Sequence, residues 1–269
     1  AASDVYKRQL LGRNDELLGN PYHYRDQRTD KILEEAFARV PREDIYRRTG
    51  VQIMQINSLF QLLAQVQAAW PLVEQAERFL NIPDLFNFWL SGAKVNEFTI
   101  ATTTQCYNPH LQNWDDELLE QMGIPSWMFG SIVQPGTILC ELRPALSKAC
   151  GVDFLPVIAT AGHDTACAVA AVPASEPDFV YLSSGTWSLL GIEVEEPIIT
   201  EGSMAAQVTN EGGVGGTFRF LKNITGLWLL QECRREWQQA GAELSYEQLT
   251  EMAAAAAPFR AFIMSNDPG

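Results

Sequence analysis

The sequence predicts an α/β protein, and three observations carry that prediction. After residue 151, strand-like and helix-like runs alternate with glycine turns between them, the pattern of strands packed against helices. Before that point, apolar residues recur at helical spacing over several segments. The chain has 269 residues, 46% hydrophobic and 19% charged, enough to bury a sizeable core as one large domain or two modest ones.

The elements follow in chain order. In NPYHYRDQRTDKILEEAFARV, Thr29 or Asp30 can cap a helix whose Ile32, Leu33, Ala36, Phe37 and Val40 share one face, with YRDQR as the strand or loop before it. Arg25 and Asp26 there read as structural ion-pair formers. PREDIYRRTG opens on Pro41, has acids in its first turn and closes at Gly50. NSLFQLLAQVQAAWP aligns Leu59, Leu62, Leu63 and Val66 and is expected to stop at Pro71. IPDLFNFWLSG reads as a short aromatic helix ending at Gly92. The threonine-rich TIATTTQCYN suits β-structure or a helix-capping loop. WDDELLEQMGIP places paired acids at a helix start and a stop at Gly123.

From residue 151 the character changes. FLPVIATAG is a short β-prone run, HDTACAVAAV is helix-forming, and FVYLSSGTWSLLGIEVE reads as two strands about a glycine turn. NEGGVGG is a further turn before the strand TFRFLK. NITGLWLLQECRREWQQ is an amphipathic helix that Asn223 can cap, with Trp228, Leu229 and Leu230 in the core. The apolar AFIM near the end reads as a strand leading into more structure. Repeats and low-complexity linkers are absent from the sequence.

Composition excludes several functions. A formal charge of −14 disfavours nucleic acid or an anionic membrane as the main partner, while leaving room for a local cationic pocket that binds phosphate. Cys106, Cys140, Cys150, Cys167 and Cys233 lack a C-x-x-C pairing and are odd in number, so they read as reduced, mostly buried thiols. His23, His110 and His163 lie far apart, so no local metal cluster is expected. No apolar run approaches the roughly 20 residues of a membrane span, and no signal-peptide pattern opens the chain. The expected compartment is the cytoplasm. The opening nine residues, AASDVYKRQ, fit nothing that follows and are set aside as a tail.

The stretch AGHDTACAVAAVPASEPDFVYLSSGTWS holds the candidate chemistry. Asp164 stands where a strand passes into a helix; it can serve as an N-cap worth ~1 kcal/mol. It can equally accept a proton from a substrate hydroxyl, since a carboxylate at the positive helix end is favoured in its ionised form. His163 and Thr165 flank it, and side chains diverging from such a turn can hold different hydroxyls of a polyol. A histidine bonded to a backbone carbonyl is the plain alternative. In SSGTWS, the hydroxyls from Ser183 to Thr186, with Gly185 permitting close approach, can cradle a phosphate without a lysine; an ordinary hairpin is the alternative. The motifs G-x-x-x-x-G-K-[ST] and G-x-G-x-x-G do not occur.

GHDTA, YLSSGTWSLLG, TNEGG and FLKNITGLWLLQE, in this order and at these intervals, resemble the rhamnulokinase branch of the FGGY carbohydrate kinases. YRDQRT, REDIYRRTG, QINSLFQL, IPDLFNFWLSG and NEFTIATTTQ resemble the first domain of that family, so the likeness runs from about residue 17 to the end. The resemblance implies a ribonuclease H-like (actin and hexokinase-like ATPase) fold with two domains, both incomplete: residues 10–173 for the sugar-binding domain and 174–269 for the nucleotide-binding one. It implies ATP and Mg²⁺ as cofactors, and phosphorylation of L-rhamnulose at its 1-hydroxyl to give L-rhamnulose 1-phosphate.

Residue by residue, the resemblance makes Asp164 the catalytic base, and His163, Thr165 and Asn223 sugar contacts. Thr186 and Gln231 match ATP-binding positions; read without the family, Gln231 is equally a solvated helix residue. Members of the family also carry an Asp-x-Gly phosphate loop upstream and a glycine-rich adenosine site downstream. This chain shows neither, so the expectation is a central fragment with little kinase activity alone and with unpaired strand edges. A kinase of another ketose such as fuculose, and a non-catalytic sugar- or nucleotide-binding relic, are the competing expectations.

Overall fold

The computed structural model describes residues 8–24, 26–176 and 178–263. Strand β1 (Arg8–Leu11) is buried along its whole length and pairs antiparallel with β2 (Arg78–Asn81). Arg8 and Gln9, set aside from sequence with the opening tail, therefore belong to a buried sheet; residues 1–7 lie outside the described residues, as does Arg25.

Helix α1 (Ile32–Arg39) buries Ile32 and Ala36, but neither Thr29 nor Asp30 caps it. Gln27–Thr29 instead form a 3₁₀ turn capped by Asp26, which accepts the Arg28 N–H at 3.0 Å, and Lys31 turns the chain into α1 at φ 66°. Helix α2 (Arg42–Thr49) follows Pro41 and ends as expected at Gly50, whose φ of 65° suits a residue without Cβ. Helix α3 (Ser58–Glu74) runs through Pro71 rather than stopping there. Losing one helical N–H and crowding the preceding turn costs ~3 kcal/mol. Burying Val73, which is fully enclosed one half-turn later, returns roughly 1.5–3 kcal/mol and keeps the last turn formed.

Helix α4 (Ile82–Ser91) closes at Gly92, φ 89°. Next, β3 (Asn96–Glu97) leads into α5 (Phe98–Ala101) and a 3₁₀ turn over Thr102–Thr104, so the threonine-rich stretch is helical up to Thr104 and extended only at Tyr107–Asn108. The reason is in its hydroxyls: Thr102, Thr103 and Thr104 donate to the carbonyls of Thr99, Ile100 and Ala101 at 3.0, 2.8 and 2.6 Å, satisfying main-chain acceptors that a short helix end leaves open. The pair β4 (Tyr107–Asn108) and β5 (Asn113–Trp114) precedes α6 (Asp116–Gln121), capped by Asp115 at the Leu118 N–H. Strand β6 (Ile132–Val133) lies parallel to β3, and β7 (Ile138–Glu141) pairs with β8 (Pro156–Ile158) around α7 (Pro144–Cys150).

The second half opens on α8 (Asp164–Ala170). Strands β9 (Val180–Ser184), β10 (Trp187–Val194), β11 (Thr209–Gly212) and β12 (Phe218–Thr225) form an antiparallel sheet in the order β11-β12-β10-β9, with α9 (Glu201–Ala205) between β10 and β11. Asn223 faces Leu189 inside β12 and so is no helix cap; its backbone belongs to the ladder. Helix α10 (Trp228–Gln239) starts five residues later and buries none of its side chains fully, leaving Trp228, Leu229 and Leu230 half-buried rather than in the core. Helix α11 (Tyr246–Ala255) ends the regular structure; Ala261–Ile263 form no strand, and the rest of AFIM onward lies outside the described residues.

The main core gathers Leu59, Phe60, Leu62 and Leu63 of α3 with Phe79, Phe98 and Trp114, and Phe218 of β12 joins it from the second half. Rings of Phe98 and Phe218 meet edge to face at 5.7 Å, and the Thr102 hydroxyl accepts the Gly212 N–H at 2.7 Å. A smaller cluster of Val169, Tyr181, Leu189 and Leu221 seats α8 against the sheet. The two halves are thereby held face to face. Cys106 is buried, and burial pushes its thiol up to about 12, but Cys140, Cys150, Cys167 and Cys233 are exposed, unlike the expectation for them; all five are free thiols. Among the described residues no helix is long and apolar enough to cross a membrane.

Candidate active site

The turn from β8 into α8 carries the candidate acid–base residue. His163, extended at φ −91°, takes the N-cap position, so Asp164 is the first helical residue and not the cap expected from sequence. Its Oδ1 accepts the Thr165 N–H at 2.7 Å, and the carboxylate remains half-exposed, its side chain 54% accessible. A carboxylate held in this way keeps a face open to a ligand.

The turn is tethered from below by a buried acid. Glu97, fully enclosed, accepts the Gly162 N–H at 2.8 Å while capping α5 through the Thr99 and Ile100 N–H groups at 2.9 and 3.2 Å. The Thr99 hydroxyl donates to the same carboxylate at 2.6 Å and accepts the His163 N–H at 3.2 Å. Asp84, also enclosed, accepts the Glu97 N–H at 2.9 Å and the side-chain amides of Asn81 and Asn96, both at 3.1 Å. Burial raises both carboxyls, Glu97 above its ordinary value and Asp84 to about 7, with these donors pulling the other way.

Above the turn lies a cavity of about 330 Å³. His163, Asp164 and Thr165 line one side; Gly185 and Thr186 of the β9–β10 turn and Asn223 of β12 line another. Residues up to 60 positions apart thus meet around one space. Asn223 directs its backbone N–H and its side-chain amide at Gln52 Oε1, at 3.4 and 3.3 Å. Gln231 does not line the cavity. It is exposed in the first turn of α10, its N–H bonded to Leu227 O at 3.0 Å, on the helix whose leading residues hold the 185–186 turn.

Gly185 permits less than the sequence suggested. Its N–H is used by Trp187 O at 2.7 Å, and a Cβ there would meet nothing nearer than 3.8 Å. The close approach is at Gly226, where a Cβ would stand 2.7 Å from Gly185 O and 2.7 Å from Ser188 Oγ. Gly226 and Leu227 donate their N–H groups to Thr186 O and Gly185 O at 3.1 and 2.9 Å, clamping the turn onto α10.

Two further residues escaped the sequence reading. Glu211 of β11 and Arg219 of β12 sit opposite each other in register, 5% and 0% exposed, with Arg219 Nη2 3.1 Å from Glu211 Oε2. The same Nη2 lies 3.1 Å from His163 Nδ1. Little in the sequence signals them: in TFRF the arginine alternates with two phenylalanines and reads as the polar face of a strand. Among the described residues no group of three or more His, Cys, Asp or Glu side chains is placed to hold a metal ion.

Solved structures share this fold. Xylulose kinase from Lactobacillus acidophilus superposes with a TM-score of 0.78 at 24% identity, over 93% of this chain and 50% of that one. Plasmodium falciparum glycerol kinase with ADP does so with 0.74 at 14% identity, over 93% and 51%. The molecule therefore has the two-domain actin and hexokinase-like ATPase fold. Sequence narrows the class: residues 6–171 match the N-terminal domain and residues 180–269 the C-terminal domain of the FGGY family of carbohydrate kinases. The chain belongs to the FGGY carbohydrate kinases. It is 45% identical to the rhamnulokinase of Bacteroides thetaiotaomicron over 258 residues, and 47% identical to that of Oceanobacillus iheyensis over 228. These alignments cover 96% and 85% of this chain but 52% and 48% of the relatives, so the chain spans about half the length of the curated relatives it matches.

Proposed function

We propose that this chain carries the sugar site and the base of an ATP-dependent ketose kinase whose substrate is L-rhamnulose, phosphorylated at the 1-hydroxyl. The observation that supports this most is the common cavity: a half-exposed Asp164 carboxylate faces the same space as the hydroxyl-bearing 185–186 turn. The identity to rhamnulokinases over nearly the whole chain supports the choice of sugar.

In this reading His163, Thr165 and Asn223 bind the sugar hydroxyls. Asp164 accepts the proton of the 1-hydroxyl as that oxygen bonds to phosphorus, so the oxygen attacks without a high-energy oxonium. ATP would supply the γ-phosphoryl group and leave as ADP as its γ-phosphorus parts from the β,γ-bridging oxygen, and Mg²⁺ on its phosphates would neutralise the charge, the usual division of labour in phosphoryl transfer. Thr186 and the clamped turn fit a phosphate through hydroxyls, and Gln231 would approach the nucleotide from α10. Since the described residues form no metal cage, Mg²⁺ would be held chiefly by the nucleotide. The cytoplasm is the compartment this chemistry calls for, because ATP is supplied there.

Asp164→Asn tests the base assignment in protein expressed from the complete reading frame that holds these residues. Calorimetric affinity for L-rhamnulose should stay within about threefold while turnover falls by at least ~10³-fold. Near-normal turnover would sink the assignment. A panel including L-fuculose, run alongside, identifies a different ketose as preferred substrate, and binding of sugar without any turnover identifies a non-catalytic relic.

A further inference from the structure

We infer that Arg219 is a positioning residue that locks His163 as the neutral Nε2–H tautomer, giving the site a fixed hydrogen-bond donor beside the Asp164 acceptor. Two observations carry this, one of distance and one of burial. Arg219 Nη2 lies 3.1 Å from His163 Nδ1. A guanidinium has five N–H donors and no acceptor, and it stays protonated in proteins, so a nitrogen at that distance must accept. Nδ1 therefore carries no proton. A protonated Nδ1 would set two N–H bonds against each other in a place where Arg219 is fully enclosed and cannot turn away to solvent.

The competing acceptor is too far to reverse this. Glu211 Oε2 is 3.7 Å from His163 Nδ1, beyond hydrogen-bond reach, but 3.1 Å from Arg219 Nη2. Glu211 thus neutralises the guanidinium, whose orientation is fixed by Arg219 Nε donating to Gly212 O at 3.1 Å. The strand register places both residues opposite each other on β11 and β12, so the pair is built into the sheet. On the other side of the ring, His163 Nε2 stands 4.0 Å from Asp164 Oδ1, and the Thr99 hydroxyl anchors the His163 backbone. With Nδ1 accepting, Nε2 is the ring atom that carries the proton, and it borders the cavity edge where Asp164 lies.

The consequence for substrate choice rests on the kinase reading above; the tautomer does not. A donor and an acceptor side by side suit a carbonyl or hydroxyl oxygen next to a second hydroxyl. The first oxygen accepts from His163 while the hydroxyl donates to Asp164. A ketose with a free hydroxyl beside its carbonyl has that pattern, and fixing the ring in advance spares the sugar from selecting one tautomer out of two.

The chain has three histidines, so long-range ¹H–¹⁵N correlation spectra of uniformly ¹⁵N-labelled chain resolve each ring, with His163→Gln used to identify the His163 signals. The expected result at neutral pH is a single neutral Nε2–H form for His163 without added ligand. An Nδ1–H form, a mixture of tautomers or an imidazolium overturns the inference. Because this reads the unsubstituted chain, a folding failure of an Arg219 variant cannot obscure it, and it decides the tautomer even if no sugar is turned over. In the complete protein a second readout follows from geometry: a glutamine amide nitrogen occupies the place of Nε2 and an asparagine nitrogen that of Nδ1. His163→Gln should keep roughly tenfold more kcat/KM than His163→Asn; the reverse order overturns the donor assignment.

Discussion

Replacing Glu97 by glutamine tests whether the buried acid holds the turn that carries Asp164. Four donors converge on its carboxylate: Oε1 takes the Thr99 N–H at 2.9 Å, and Oε2 takes the Thr99 hydroxyl, the Ile100 N–H and the Gly162 N–H at 2.6, 3.2 and 2.8 Å. An amide has one oxygen. Its best placement puts that oxygen at the Oε2 position and turns the NH₂ toward the Thr99 N–H, leaving two donors facing each other in an enclosed place. One orphaned buried donor costs ~1–3 kcal/mol, and the three remaining bonds lose their charge assistance. Removing a charge that burial already disfavours, as the raised Glu97 carboxyl indicates, recovers part of this. The net expectation is ~2 kcal/mol.

For a domain of this size that lowers Tm by roughly 4–8 °C, read by circular dichroism and checked by a lower urea midpoint at unchanged slope. The Gly162 amide should exchange faster than in the parent, and turnover should fall more than sugar affinity, because the loosened strand end carries Asp164. A Tm within about 1 °C of the parent with Gly162 exchange unchanged would refute the tether, since no rearrangement of an amide satisfies all four donors.

Asp84 adds a pH dependence. Its carboxyl rises from 3.8 to about 7 in the fold, so the folded state binds a proton that the unfolded chain has released between those values. The stabilising contribution is fully present below the unfolded value and is lost as pH rises through about 7. It amounts to at most ~4 kcal/mol. Urea midpoints should therefore drift down across that window, with a shallower slope in Asp84→Asn; a rise with pH that Asp84→Asn abolishes contradicts the assignment. Gly226→Ala would press a methyl against Gly185 O and Ser188 Oγ, both 2.7 Å away, and push the 185–186 turn off α10. It should destabilise by ~1–3 kcal/mol and weaken ATP binding measured by calorimetry more than sugar binding; equal losses for both ligands would count against a nucleotide role for the turn.

Elements with local punctuation were legible in the sequence, and those decided by tertiary contacts were not. Gly50, Gly92 and Gly123 end their helices at φ 65°, 89° and 71°, because a left-handed stop is a property of one residue. Pro71 misled because its local penalty is set against burial of Val73, which no window around the proline reveals. NIT in NITGLWLLQE misled in the opposite direction: Asn223 resembles a helix cap, but pairing with Leu189 in β10 fixes it in a strand. At the site, Asp164, His163 and Thr165 could be read because they are adjacent in one turn. Glu97, Arg219 and Glu211 act across 65, 56 and 48 positions of sequence on Gly162 and His163, and only the folded chain brings them there.

The fold itself cannot choose the sugar. Xylulose and glycerol kinases superpose on nearly all of this chain at 24% and 14% identity, so a shared fold carries no choice of substrate. Discrimination has to come from side chains bordering the cavity that differ in shape or polarity. Tyr24, Met54 and Asn57, from the helical half, line the same cavity and are not part of the GHDTA or SSGTW segments. Were the substrate the proposed L-rhamnulose, its terminal methyl would gain from leaving water beside Val51, Met54 and Ile56, which also line the cavity. On the proposed reading the chemistry falls to the turn at Asp164, held from one side by Glu97 and from the other by Arg219, while the choice of sugar is shared between His163, Thr165 and Asn223 and the cavity residues of the first hundred positions.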